Sequence, residues 1–336
     1  MFKKIIVKGS NYDMGFELGK FFKKPIQDTI ETYIDKLKNP SIAKVIENNI
    51  ENVKNTFPHI YEELLGKAEG SEVDFKALFL MHSPEVLDKV DGCTTAIYKL
   101  NDRVLFSHNE DDKGCNHENT VLVKHLFEDG RYVVGLDTFD KLTGSCFGFN
   151  SFGLVYSCNF IYHEDINTDY LSRYVVVRDV IESKDIDECL FKLNKYPTAS
   201  PFSMNLLDTN SLRVINVEND YFSHYITEIQ DKYARSNHFL CKDGVKMSNS
   251  SRNRNINAKA RIADLTDNAS INDLIDVLSL ESENADDCIL KDPNKFNDPK
   301  VALTIANYSY DTFEKEFILN DYIDHSTIKF TFESFE

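Results

Sequence analysis

The stretch DGCTTAIYKL, residues 91–100, places a glycine and then a cysteine at the head of a run rich in threonine, isoleucine and tyrosine. Such residues suit a pleated, half-buried strand. Two readings of Cys93 follow. A small, weakly polar thiol can begin a buried strand without doing chemistry. Alternatively, Gly92–Cys93 is a bond that the protein cuts in itself, leaving Cys93 as a new N-terminus. The second reading has a physical basis, because an α-amine has a pKa of about 8 against about 10.4 for lysine. The freed amine can therefore accept the thiol proton near neutrality. Glycine before the thiol leaves room for attack on the preceding carbonyl, giving a thioester that water can open.

On the N-terminal side of this stretch, from Met14 to about Leu87, apolar residues recur at helical spacing, as in Ile42, Val45, Ile46, Ile50, Val53 and Phe57. Pro40 with Ser41, and Pro58, divide the region into separate helices. On the C-terminal side the pattern turns to short strands: TTAIYKL, RVLFSHN, TVLVKHLF and RYVVGLDTF, the last two joined by Asp129 and Gly130. Further strand pairs lie in FGFNSFGLVYSCNF and in SMNLLD with LRVINVE. Helices return at YLSRYVVVRDVIES, IDECLFKLNK, RNINAKARIADLTDN and INDLIDVLSL, and strands VALTIANYSY and FEKEFIL close the chain. Hairpins mixed with helices, without regular β-α-β alternation, predict an α+β fold with mostly antiparallel sheets. The segment NADDCILKDPNKFNDP, polar and interrupted by Pro293 and Pro299, is expected to be a solvated loop.

The chain has 336 residues, 42% of them hydrophobic, enough to bury a large core without disulfides or metal. Its formal charge of −17 repels phosphate backbones and anionic lipid surfaces, so neither nucleic acid nor membrane is expected as a partner. The N-terminal MFKKIIVKGSNYDMG has no apolar run of signal-peptide length, and the expected location is cytoplasmic. Seven scattered cysteines without a C-x-x-C pair suit reduced thiols. Nine histidines without an H-E-x-x-H arrangement offer little support for a metal centre. The run N-E-D-D-K-G at 109–114 has the first, third and sixth positions of a calcium loop, but Lys113 and Thr120 stand where oxygen donors are needed. No histidine is marked out as a papain-type partner for Cys93.

DGCTTAIY followed by the SHNEDD stretch resembles the autoproteolytic acyl-coenzyme A:6-aminopenicillanic acid acyltransferase family, where an Asp-Gly-Cys-Thr-Thr motif precedes a Gln-Asn-x-Asp strand end. GSNYDMGFELGKFF, YEELLGKAEGSEVDFKALFLM, FGFNSFGLVYSCNF, ARSNHFL and SSRNRN are similar to family segments in the same order. The resemblance implies an N-terminal nucleophile (Ntn) hydrolase: a four-layer αββα sandwich of two antiparallel sheets. It implies a helical N-terminal segment, 1–92, which stays associated with a core, 93–336, after the cut. It also implies Cys93 as nucleophile and Asp111 as the carboxylate that orients the freed amine. Asn237 would donate to the tetrahedral oxygen, with a turn-forming asparagine as the alternative. Asn159 is a second candidate donor, and Asn150 is expected to shape its hairpin. Arg254 would steady Cys93 and Asp111, with Arg252 and Arg261 as neighbouring alternatives. The substrate would be a small amide or thioester, acyl-coenzyme A among the candidates, with no cofactor and no metal. His108 and Glu110 depart from the family's Gln and aromatic residue, and Glu110 argues against penicillin-like acyl specificity. Ser157 and Cys158 alter the second hairpin, and the remaining cysteines, Cys115 and Cys158 included, are expected to be packing residues. The competing function is a scaffold that keeps the fold and binds without turnover.

Overall fold

The computed structural model describes residues 1–87, 92–163, 166–221, 223–296 and 302–335, without the side chains of Leu87 and Cys115. Asp91 of the opening stretch and the thiol of Cys115 therefore lie outside the described residues. Two sheets stack face to face. One contains, in spatial order, β1 (Lys3–Gly9), β4 (Thr120–Phe127), β5 (Tyr132–Thr138), β6 (Phe147–Asn150), β7 (Leu154–Phe160), β8 (Phe202–Asp208), β9 (Arg213–Asp220) and β10 (Ser223–Glu228). The other runs β11 (Lys232–Arg235), β2 (Gly92–Lys99), β3 (Val104–Asp112), β12 (Leu303–Asp311), β13 (Glu316–Asp321) and β14 (Ser326–Phe330). Among the described residues, the named strands pair antiparallel except β1 with β4.

Alternation along the strands divides the core into three layers. Ile97, Phe106, Phe147, Phe149, Tyr308 and Phe317 meet between the sheets. There Phe147 stacks on Tyr308, and Phe149 on Phe317, at centroid distances of 4.4 Å. The outer face of the β1 sheet is covered by α1 (Asn11–Phe21), α2 (Lys23–Leu37), α3 (Pro40–Thr56), α4 (Pro58–Ser71), α5 (Phe75–Met81), α6 (Arg173–Val180) and α7 (Ile186–Lys195). The outer face of the β2 sheet carries α8 (Asn249–Ala263) and α9 (Ile271–Val277), packed on Ala96, Tyr98 and Leu105. The architecture is thus the α+β, four-layer αββα sandwich that the resemblance implies.

Local chemistry accounts for the boundaries. Asn39 caps α3 ahead of Pro40, Asp74 caps α5, and Ser248 caps α8 by accepting the Ser251 N–H. Helices α1 and α4 cross at backbone contact. A Cβ on Gly15 would lie 1.9 Å from the Glu63 carbonyl oxygen, and one on Gly66 would lie 2.2 Å from that of Tyr12. Glycine is required at both positions by this approach.

Strands β1, β10, β11 and β14 go beyond the sequence reading. Residues 1–87 are more than a helical segment, because β1 joins a sheet and Phe2 enters the inter-sheet core. The 284–296 segment lacks helix and strand, as expected, but it is not simply solvated. Cys288, Ile289, Leu290 and Lys291 are buried, and Ile289 packs into the apolar cluster beneath α8 and α9.

Candidate active site

Cys93 pairs with Glu110 across β2 and β3, and Gly92 pairs with Asp111. Alternation then sorts the side chains. Cys93, Thr95, His108 and Glu110 share the inter-sheet face, while Thr94 and Asp111 share the face under α8. All six are buried.

Under α8, the backbone of Cys93 is held at both ends. Its N–H donates to Asn237 Oδ1 at 2.9 Å, and its carbonyl accepts from Arg254 Nη1 at 2.5 Å. Arg254 also donates to Thr94 Oγ1 and to Asn237 Oδ1, both at 2.8 Å. Asn237 is tied to α8 through its N–H to Ser251 Oγ, and its Nδ2 donates to the Phe160 carbonyl at 2.8 Å. Of the three arginines considered from the sequence, only Arg254 reaches the cysteine among the described contacts. Arg252 is exposed, and Arg261 donates to the carbonyls of Asp276 and Val277.

Asp111 is completely buried, which overturns the alternative of an exposed acid in an acidic run. It accepts from Lys291 Nζ at 2.9 Å and Thr304 Oγ1 at 2.7 Å. Burial pushes its carboxyl up, but the charges of Lys291 and Arg254, with those hydrogen bonds, outweigh burial and hold it below the usual carboxylate range. Its Oδ2 would lie 2.8 Å from a Cβ on Gly92, so only glycine fits before Cys93 in this arrangement.

On the inter-sheet face, Cys93 Sγ lies 3.4 Å from Glu110 Oε2, as does His108 Nε2. Glu110 Oε1 takes Cys146 Sγ at 2.9 Å and Lys141 Nζ at 3.3 Å, and Lys141 also pairs with Asp112 at 3.1 Å. Cys146 is therefore not a mere packing residue. Burial and then the Glu110 charge raise its thiol well above the ordinary value, so it remains a protonated donor to that carboxylate. Cys158 is buried, with its thiol likewise raised by burial, in keeping with packing.

Asn159 Oδ1 accepts from Thr95 Oγ1 and Asn205 Nδ2, both at 3.0 Å, whereas its buried Nδ2 has no hydrogen-bond partner among the described residues. An orphaned donor in a polar cluster is costly unless something else satisfies it. The two candidate donors thus differ: Asn237 meets Cys93 through its oxygen, and Asn159 holds an unused N–H. Asn150 shapes the hairpin as expected, accepting the Phe152 and Leu154 N–H groups. A small void of about 10 Å³, room for about one water, reaches Cys93 and Glu110 and is lined also by Cys146, Phe160, Arg173 and Tyr174.

Lys291, Thr304, Lys141 and Cys146 were missed in the sequence. The apolar Cys288-Ile289-Leu290 run beside Lys291 was the available signal for a buried anchor. His108 and Glu110, two apart on one strand, were the signal for the inter-sheet cluster, which Cys93 completes as a potential three-donor metal set.

A layered α+β sandwich with a buried cysteine at the head of a central strand, fixed by an asparagine and an arginine from outside its sheet, defines the class. The model of the acyl-coenzyme A:6-aminopenicillanic acid acyltransferase family matches residues 99–318, and the chain belongs to that family. The match begins just beyond Cys93. A β-alanyl-dopamine/carcinine hydrolase of Drosophila melanogaster is 28% identical over 213 residues, covering 55% of each chain. The 40 kDa form of acyl-coenzyme A:6-aminopenicillanic-acid-acyltransferase of Emericella nidulans is 21% identical over 200 residues, covering 56% of each. The chain spans about half the length of these curated relatives. Among solved structures, penicillin V acylase from Agrobacterium tumefaciens gives a TM-score of 0.47 at 12% identity, covering 71% of this chain and 86% of that one. A conjugated bile acid hydrolase from Clostridium perfringens gives 0.47 at 13% identity, covering 71% and 92%. No described helix is long and apolar enough to cross a membrane.

Proposed function

We propose that the chain is a thiol amidohydrolase or acyltransferase that activates itself by cutting the Gly92–Cys93 bond. The observation that carries this reading is the grip on Cys93: Asn237 on its nitrogen, Arg254 on its carbonyl, and Asp111 filling the space where any other residue before it would place a Cβ. In the cut, Cys93 Sγ attacks the Gly92 carbonyl, the peptide nitrogen leaves as the new α-amine, and water opens the thioester to free the Gly92 carboxylate. In turnover that amine takes the Sγ proton and the sulfur attacks the substrate carbonyl. The proton then passes to the departing amine, and water or a second amine resolves the acyl-enzyme. Asn159 Nδ2, unpaired in the inter-sheet cluster, is the donor best disposed to receive the developing oxyanion. The hydrolase named for β-alanyl amides among the relatives favours a short acyl group.

The test has two parts. Freshly expressed protein, run under denaturing conditions, should separate into pieces of 92 and 244 residues. The larger should begin Cys-Thr-Thr-Ala on N-terminal sequencing, and Cys93→Ala should leave one chain. Cut protein should hydrolyse members of a panel of β-alanyl amides, N-acyl amino acids, conjugated bile acids and β-lactam amides. One uncut chain after long incubation, inert to the whole panel, would return Cys93 to strand packing and the fold to a binding scaffold.

A further inference from the structure

We propose that Cys93, His108 and Glu110 form a zinc site that switches the cysteine off reversibly. Their ligand atoms lie within 4.8 Å of one another, and all three side chains are buried. A tetrahedral zinc with bonds of about 2.3 Å to sulfur and about 2.0–2.2 Å to nitrogen and oxygen needs donor separations of roughly 3.2–3.6 Å. The Sγ–Oε2 and Nε2–Oε2 distances are both 3.4 Å, so two of the three donor separations already match the metal's first shell, and the third, within 4.8 Å, closes by a small side-chain shift.

The surrounding contacts orient each donor. His108 Nδ1 is engaged by Thr95 Oγ1 at 2.8 Å, which leaves Nε2 for the metal. Glu110 Oε1 is anchored by Lys141 and Cys146, which leaves Oε2. Charge closes as well: a thiolate and a carboxylate neutralise the dication, and Asp112 answers Lys141. The void at Cys93 and Glu110 leaves a fourth position for water. Binding releases the Cys93 thiol proton to solvent, so affinity rises with pH. A metal on Sγ blocks its attack on any carbonyl. The site uses side chains only, so metal binding stands or falls independently of self-cutting and of amide turnover, while its effect as a switch rests on the proposed function.

Cobalt titration of the full-length protein tests it without reference to activity. One equivalent of Co²⁺ should give a thiolate-to-metal charge-transfer band and the intense visible bands of tetrahedral cobalt, and Zn²⁺ should displace both. Cys93→Ala should abolish the charge-transfer band. His108→Ala and Glu110→Gln should weaken zinc by about tenfold or more, and Thr95→Val, through His108, by about 10–100-fold. His117→Ala, in the separate His117, Asp321 and Asp324 cluster, should leave the band unchanged. Should the variants not fold, alkylation of the wild type mapped by mass spectrometry decides: zinc should protect Cys93 by about tenfold or more while exposed Cys241 reacts as before. A band that survives Cys93→Ala, zinc affinity indifferent to His108 and Glu110, or unprotected Cys93 would overturn the proposal.

Discussion

Arg254 and Asn237 grip each other and the same cysteine: the guanidinium donates to Asn237 Oδ1 at 2.8 Å, and that oxygen also accepts the Cys93 N–H at 2.9 Å. The pair fixes the amide orientation, because Asn237 Nδ2 is turned to the Phe160 carbonyl. Arg254→Ala should lower kcat by on the order of 10² or more while the protein stays folded. It should also cost about 1–3 kcal/mol in urea unfolding, since it strips the Cys93 carbonyl of its buried donor. Arg254→Lys should rescue little, because one ammonium does not reproduce a planar fork shared among four acceptors. Normal kcat in both variants would remove Arg254 from the site.

Asp111 sets a pH dependence of known sign. Its folded carboxyl is held below the unfolded value of about 3.9 by Lys291 and Arg254 against the pull of burial. The stability it contributes is therefore present above about pH 4 and is lost as pH falls through the depressed folded value. Asp111→Asn should flatten the acid limb of stability against pH, measured as urea midpoints from pH 6 downward, and should reduce turnover by on the order of 10². An unchanged acid limb would mean that the ion pair with Lys291 does not persist in solution.

Asn159 separates the donor from the acceptor in one side chain. Asn159→Asp keeps the oxygen that Thr95 and Asn205 use but removes the unpaired N–H. If that N–H stabilises the oxyanion, Asn159→Asp and Asn159→Ala should both lose about 10²–10³ in kcat with KM little changed. A near-normal Asn159→Asp enzyme would assign Asn159 to the polar scaffold alone.

The crossing of α1 and α4 predicts a purely structural effect. Gly15→Ala or Gly66→Ala forces a methyl group into a backbone carbonyl. Each should cost about 1–3 kcal/mol of stability by overpacking, read as a shift in urea midpoint. Wild-type stability in both would show that the helices can separate at no cost.

Much of this molecule was legible because its signals are local. Helix α7 follows its periodic IDECLFKLNK segment, and β4 and β5 flank the Asp129-Gly130 turn. What was illegible depends on partners far apart in the chain. Strand β1, as long as β5 but with lysines interrupting its apolar residues, does not announce itself, and it becomes a strand by lying beside β4. Lys291 reads as a loop residue until the buried Cys288–Leu290 run delivers it to Asp111, 180 positions away. The cysteine, the carboxylate, the two asparagines and the arginine were singled out through the resemblance, but which atoms of Asn237 and Arg254 face Cys93 needed coordinates. Asn237 illustrates the gap: its type suggested a donor, and its neighbours make its oxygen the contact.

The placement of β1 and Phe2 bears on how such a protein could be made at all. A strand from one end of the chain is zipped to β4, and a phenylalanine beside it is sealed between the sheets. As one chain, the molecule folds by a first-order process indifferent to dilution. Once severed after residue 92 it would refold from denaturant only by the meeting of two pieces, at a rate that falls with concentration. Cutting would then convert a reversible equilibrium into one ratcheted by order of events, in which assembly must precede scission.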